Sequence, residues 1–313
     1  EWGEEFDLPE RWHTEAIPAG ELWQAHQTRK EKMVELVRER LIEQALRHGE
    51  GTAILETAKT ALDPRALVLG FARRFATYKR ATLIFRDEAR LLKLLSDPER
   101  PVQLVFAGKA HPADEPGKSF IQRIYQLSHE PQFAGKIVFV EDYDMNIARH
   151  LISGVDVWLN NPRRPLEASG TSGEKAAVNG IPNFSALDGW WEEGYNGENG
   201  WAIGESRTYK DDATQDEADA LSLYQTLEQE IVPLYFRRTD AGVPEGWVQE
   251  MRNAIQSCGP RFSMDRQVKD YVNIYYLPAA ATGAARKSDN YRAARDLSHW
   301  RDQVRSAWNG VHI

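Results

Sequence analysis

The sequence predicts an α/β fold: a Rossmann-like, doubly wound parallel sheet followed by a helical C-terminal extension. Three observations predict it. Between residues 61 and 210, short runs rich in Val, Ile and Leu alternate with stretches of helical periodicity, the pattern of a parallel sheet covered on both faces. Glycines and charged residues directly follow several of those runs, at the sheet edge where open α/β folds bind ligands. After Asp211 the apolar residues keep only three- and four-residue steps, which is helical spacing.

The elements follow in order. Residues 1–20 show little periodicity. From Glu21 to about His48, Leu22, Trp23, His26, Met33, Leu36, Val37, Leu41, Ile42, Ala45 and Leu46 form one apolar stripe, predicting a long amphipathic helix. Gly49 and Gly51 end it. Segment 1–60 is expected to pack on the core at 61–210. There the predicted strands are 66–71, 102–107, 137–140, 155–159 and 182–185. The predicted helices are 77–96 (closed by Asp97-Pro98), 118–128, 145–152 and 174–179. Residues 211–313 read as the helical C-terminal part of the same domain. Helices are expected near 214–238, 244–257 and 264–276, then a flexible stretch at 280–290 and a last helix at 291–308.

Composition excludes several classes. The chain has 313 residues, 42% of them hydrophobic and 27% charged, an ordinary globular balance. No apolar run approaches the ~18 residues a membrane-spanning helix needs, and Glu1-Trp2-Gly3-Glu4 shows no signal-peptide pattern. One cysteine, Cys258, makes an internal disulfide impossible. The eight histidines are scattered without zinc spacing. A net charge of −8 argues against nucleic acid. Basic residues nevertheless crowd at Arg73, Arg74, Lys79 and Arg80, and again at Arg163 and Arg164. Such spots suit a small anion, or equally a solvated basic face.

The most informative segment is Glu167-Ala168-Ser169-Gly170-Thr171-Ser172-Gly173-Glu174-Lys175. Gly, Ser and Thr give a tight turn with free N–H groups, and a lysine follows in what reads as the first turn of a helix beginning at Glu174. Free N–H groups and the positive end of a helix dipole attract anions, and that end would make Lys175 a more reactive amine. A phosphate cradle beside such an amine suits pyridoxal phosphate. A glycine turn capping a helix, with a solvated lysine, fits the spacing equally well.

Together with Asn179-Gly180 and Leu187-Asp188-Gly189, this segment resembles the lysine segment of the α-glucan (glycogen, starch, maltodextrin) phosphorylases. Arg73-Arg74-Phe75-Ala76-Thr77-Tyr78-Lys79-Arg80 resembles that family's phosphate-binding stretch. Gly108-Lys109-Ala110 and Glu141-Asp142-Tyr143 fall where it has similar short motifs, in the same order. The likeness is dense from about Ala66 to Gly204.

The resemblance implies phosphorolysis of an α-1,4-glucan such as glycogen or maltodextrin. Inorganic phosphate would take up the sugar as glucose 1-phosphate, with retention of configuration and with pyridoxal phosphate as cofactor. Lys175 would hold the cofactor as an imine. Thr171 and the backbone around Gly170 and Ser172 would bind its phosphate, Arg73 would lie close to that phosphate, and Tyr143 would touch the cofactor. Arg74 and Lys79 would clamp substrate phosphate. Glu167, Ser169 and Gly170 would meet the sugar, and Lys109 would act in support. Two neighbouring phosphates repel, so several cations are needed. The aromatic stretch Trp190, Trp191, Tyr195 and Trp201 suits a lip stacking on a sugar, or plugs for the core.

Some residues depart from the family pattern. Ser172-Gly173-Glu174 stands where Gly-Asn-Met is more usual, with Glu174 placed to pair with Lys175, and Asp144 stands where better-known members carry arginine. This implies a divergent bacterial or archaeal branch. The family builds its site between two sheet domains in a GT-B arrangement, and only one is legible here. The expectation is therefore a C-terminal, cofactor-carrying domain or fragment of a cytoplasmic enzyme, whose amino-terminal partner domain is absent and which alone turns over poorly or not at all. Two other readings stay open: a GT-B nucleotide-sugar glycosyltransferase, and a non-catalytic domain binding pyridoxal phosphate, phosphate or glucan.

Overall fold

The computed structural model describes residues 5–310; the reading of Glu1 to Glu4 lies outside them. The chain divides into two compact units, Leu8–Pro260 and a smaller one joining residues up to Asp7 with Arg261 onwards.

The larger unit opens with α1 (Ala19–His48), ended by Gly49 in the left-handed conformation, and α2 (Thr52–Thr60). The alternating region follows: β1 (Leu67–Ala72), α3 (Glu88–Ser96), β2 (Val102–Ala107), α4 (Glu115–Ser128), β3 (Ile137–Val140), α5 (Met145–Gly154), β4 (Val157–Asn160), α6 (Thr171–Val178), β5 (Asn183–Ala186), α7 (Trp190–Gly194) and β6 (Gly200–Ile203). The helices α8 (Asp212–Thr226), α9 (Val232–Phe236) and α10 (Glu245–Cys258) complete it. A π-helical turn at Leu227–Ile231 joins α8 to α9.

The strands pair in parallel in the order β3-β2-β1-β4-β5-β6, so the predicted doubly wound sheet is present. Every residue of β1 to β5 is buried, as expected where helices cover both faces. The pleat sorts side chains by parity. Leu67, Leu69 and Phe71 of β1, with Val102, Leu104 and Phe106 of β2, join the core under α3, α4, α8 and α10. Val68, Ala72, Val105 and Ala107 point to the other face, onto Met33, Val34 and Val37 of α1 and Ile147 and Leu151 of α5.

A buried polar cluster ties α1 to the sheet. Lys30 Nζ donates to Asp156 Oδ2 and to the Ala66 carbonyl at 2.5 Å each, and to the Tyr235 hydroxyl at 2.8 Å. The Asp156 carboxylate also accepts from the Val68 N–H (2.7 Å) and meets His26 Nε2 at 2.8 Å. Burial alone would raise the Asp156 carboxyl, but Lys30 and His26 outweigh it and hold it below its usual range.

Several elements differ from expectation. The predicted helix 77–96 is two short 3-10 turns, Thr77–Lys79 and Leu83–Phe85, before α3 begins. Arg80 takes a left-handed conformation (φ 49°) that interrupts any helix there, and Asp87 accepts from the Arg90 N–H to start α3 anew. The helix expected from Glu174 starts at Thr171. Helix α2 and strand β6 were not anticipated.

In the smaller unit, α11 (Met264–Asp270) runs through a π-helical turn (Tyr271–Tyr276) into α12 (Leu277–Ala307). Non-helical backbone at Ser288, Asp289, Asn290 and Tyr291 interrupts α12 at the end of the stretch expected to be flexible. Lys269 pairs with Asp7 at 2.7 Å. No helix of the described residues is long and apolar enough to cross a membrane.

Candidate functional site

All strand carboxyl ends face one edge. The strand order reverses between β1 and β4, and open α/β sheets bind ligands outside the carboxyl ends at such a switch point. The segment after β1 meets the segment after β4 there. Arg73 Nη2 donates to Glu167 Oε2 at 2.8 Å, and Lys79 Nζ lies 3.0 Å from the same oxygen. All three side chains are at least nine-tenths buried. Two cations share one carboxylate, so the cluster carries a net positive charge. Burial pushes the Arg73 guanidinium below its ordinary value against the pull of Glu167. Its Nε and Nη1 are buried and have no hydrogen-bond partner.

Neighbouring loops hold this cluster in place. Gly108 (φ 143°) ends β2 directly against Arg73. A Cβ there would lie 2.0 Å from the Arg73 carbonyl oxygen, so only glycine fits. The Phe75 N–H donates to the Lys109 carbonyl at 3.0 Å, which braces the same turn. On the other side, the Asp188 carboxylate accepts from the backbone N–H of Glu167 (2.8 Å) and of Gly189 (3.0 Å). The Trp190 N–H donates to the Ser169 carbonyl at 2.9 Å. Burial raises the Asp188 carboxyl, the two N–H bonds opposing it.

The glycine-rich loop leads into α6. Gly170 precedes the helix in a left-handed conformation (φ 98°), and no side chain caps its start. The first N–H groups, at Thr171 and Ser172, are therefore left to bind an acceptor from outside the helix. Ser172 Oγ accepts from the Trp158 indole N–H at 3.3 Å. Gly173 lets the helix sink onto the sheet: a Cβ there would stand 2.5 Å from Asn183 Oδ1 and 2.7 Å from the Trp190 indole nitrogen. Because α6 begins three residues earlier than expected, Lys175 lies in its last turn, away from the positive end. The helix-dipole argument for a reactive amine at that position is thereby corrected. Lys175 is exposed. Glu174 is half-buried, which raises its carboxyl against the pull of Lys175, and the two form no ion pair.

Other expected residues lie as follows. Arg74 is exposed and has no ion-pair partner among the described residues. Ser169 and Thr171 are exposed and Gly170 is half-buried. Tyr143 is half-buried, which raises its hydroxyl. Glu141 turns the other way, pairing with Arg47 at 2.6 Å and His48 at 3.0 Å of α1, so that motif does not join the cluster through its carboxylate. Asp144 accepts from the Ile147 N–H at 2.8 Å and caps α5. The second basic pair is structural: Arg163 binds Asp212 and Asp216, and Arg164 binds Glu192 and the Leu187 carbonyl. Arg80 likewise holds Asp216, Asp219 and the carbonyls of Asn161 and Pro162. Trp190, Trp191 and Trp201 are buried and serve as plugs for the core rather than as a lip.

Sequence reasoning missed two sets of residues. Asp188 was read only as part of a motif, although it positions Glu167. Asn160, Asn161 and Asn183 are buried, each with an unpartnered Oδ1. Asn160 ends β4 beside Gly170. The signal available was an Asn-Asn pair closing an otherwise apolar strand.

Comparison with known proteins matches residues 11–229 to the family described as Carbohydrate phosphorylase. The maltodextrin phosphorylase of Thermococcus litoralis is 45% identical over 313 residues, all of this chain and 36% of that protein. The glycogen phosphorylase of Aquifex aeolicus is 49% identical over 260 residues, 83% of this chain and 37% of that one. The glycogen phosphorylase of Mycobacterium bovis is 44% identical over 297 residues, 95% of this chain and 34% of that one. The chain thus spans about a third of the length of the curated relatives it matches.

Proposed function

Because this chain belongs to the carbohydrate phosphorylase family, we propose that it is the cofactor-carrying part of an α-1,4-glucan phosphorylase. The enzyme moves glucosyl units from glycogen or maltodextrin to inorganic phosphate, and the rest of its length supplies the facing wall of the site. One observation carries this reading. Arg73 is held by Glu167 through one nitrogen, while its Nε and Nη1 stay buried and unpartnered at the switch point. Each unmet buried donor costs about 1–3 kcal/mol, and an oxyanion would satisfy both.

The residues fit pyridoxal phosphate. It requires a primary amine and an anion cradle; Lys175 offers the amine on α6, and the uncapped N–H groups of Thr171 and Ser172 begin the same helix. With Gly170 these groups would hold the phosphate, Arg73 would lie close to it, and half-buried Tyr143 would border the ring. Bound there, pyridoxal phosphate supplies an anionic phosphate able to support proton transfer by the substrate phosphate. The chain's own groups do the rest. Glu167 orients Arg73 and Lys79. Arg74 adds an exposed two-pronged donor for substrate phosphate, and Lys79 adds a compact charge. Ser169 and the Gly170 backbone, in the loop that follows Glu167, would meet sugar hydroxyls.

The test is borohydride reduction after incubation with pyridoxal phosphate, followed by peptide mass spectrometry. A phosphopyridoxyl group is expected on Lys175, and none at that peptide in Lys175→Ala. A label spread over surface lysines, with Lys175 unmodified, overturns the reading. Adding the amino-terminal part of the enzyme should then produce glucose 1-phosphate from maltodextrin and phosphate. A nucleotide-sugar transferase would instead bind UDP- or ADP-glucose and take no label.

A further inference from the structure

A second hollow lies on the far side of β3, between that strand, α1, α2 and α4. It is open to solvent, and about 540 Å³ of space lies within and in front of it. Its floor is apolar: Ala45, Ala58, Ala61, Ile137 and Phe139. Alanines stand on α1 and α2 where helix-on-sheet packing ordinarily uses larger aliphatic side chains, and unfilled apolar space in a core costs stability.

The rim is polar and aromatic. Tyr125 stacks on His129 with ring centres 4.2 Å apart, and its hydroxyl donates to Glu50 at 3.1 Å. His129 has an assignable tautomer, because it faces an acceptor that has no proton to give. Its Nδ1 lies 2.8 Å from the Tyr125 carbonyl, so it donates and leaves Nε2 as an acceptor. His48 Nε2 is taken up by Glu141 Oε2 at 3.0 Å. An apolar floor beneath one ring acceptor selects a particular chemistry. An anion would meet Glu50. A cation would have to shed its water over the apolar floor.

We propose that this hollow binds a neutral, largely apolar aromatic molecule carrying one O–H or N–H donor, with the ring on the alanine floor and the donor at His129. The inference goes beyond the glucan-phosphorylase reading and does not depend on it.

The probe is 2-naphthol, a fluorescent bicycle with a single O–H, compared with 2-methoxynaphthalene, which lacks that donor. Fluorescence titration of the whole chain should give saturable 2-naphthol binding with a dissociation constant under about 1 mM, and binding of the methoxy compound about five- to tenfold weaker, as loss of one hydrogen bond requires. Ala58→Leu, which fills the floor, should weaken 2-naphthol at least tenfold while melting no earlier than wild type. If that variant fails to fold, Thr57→Phe at the rim serves the same purpose. Equal affinity for both naphthalenes, unchanged binding in the filled variants, or no saturable binding below about 1 mM overturns the proposal.

Discussion

Arg73 and Glu167 stand 94 positions apart in the chain, yet Arg73 Nη2 lies 2.8 Å from Glu167 Oε2 with both side chains nearly buried. One follows β1 and the other follows β4, so the contact closes the switch point. Removing one partner of such a pair leaves an uncompensated buried charge, at a cost of about 3–5 kcal/mol. Glu167→Ala is expected to lose that much in urea unfolding. In a double-mutant cycle with Arg73→Ala, the pair should couple by at least about 1 kcal/mol. Additive losses would show that the two do not depend on one another.

Arg74 lies beside this pair but is exposed and unpaired. Arg74→Ala should change stability by no more than about 0.5 kcal/mol. It should still weaken inorganic phosphate binding about tenfold or more, because charge-assisted hydrogen bonds are worth about 1.5–3 kcal/mol. Calorimetry of wild type, Arg74→Ala and Arg74→Lys checks this, the lysine falling between because it cannot bind bidentately.

Gly173 lies hard against Asn183 of β5. Gly173→Ala drives a methyl into Asn183 and should cost about 1–3 kcal/mol as overpacking, a fall in melting temperature of roughly 2–12 °C. The same substitution should reduce the borohydride label on Lys175, since the helix that carries it is pushed outward. Normal labelling at full stability would contradict the tight contact.

Lys30→Met removes the cation of the buried cluster at the opposite edge and leaves the Asp156 carboxylate with His26 and the Val68 N–H. A loss of about 3–5 kcal/mol is expected. Differential scanning calorimetry should show it, and the phosphate affinity of the protein that remains folded should stay as in wild type.

Glu250 offers a pH test. Burial, with like charge from Glu198 and Glu230, raises its carboxyl from 4.5 to about 7, although a backbone bond from Gly200 opposes the shift. The folded state therefore holds this proton more tightly than the unfolded chain. That contribution is complete below about pH 4.5 and is lost as pH rises towards 7. Glu250→Gln should match wild type near pH 4.5 and exceed it at pH 8 by on the order of 1–2 kcal/mol, after allowance for solvent screening of a partly exposed group. Parallel urea curves at both pH values settle the sign.

The strands were legible because fully buried parallel strands read as near-continuous apolar runs, such as Leu67 to Phe71 and Leu104 to Ala107. The start of α6 was not. Nothing local distinguishes Gly170 as the residue that turns left-handed rather than one further loop glycine, and Thr171 and Ser172 have modest helix preference. Strand β6 is four residues long and opens with glycine, below what a pattern can resolve. The basic stretch 73–80 read as a single anion patch, but the structure divides it. Arg73 and Lys79 turn to Glu167, Arg80 is consumed by Asp216 and Asp219, and Arg74 stays in solvent. Charge alone could not make that division, because each acidic partner lies at least 88 positions away.

The sheet order carries a consequence for how the protein is made. Leu69 aligns with Val157, so the central β1–β4 pairing joins a front half that supplies the arginine to a rear half that supplies its carboxylate. On the phosphorylase reading, the phosphate site needs both halves. The nascent chain would then complete that site only once the later strands have left the ribosome, and phosphate protection of a refolding polypeptide would mark the moment its middle seam has zipped.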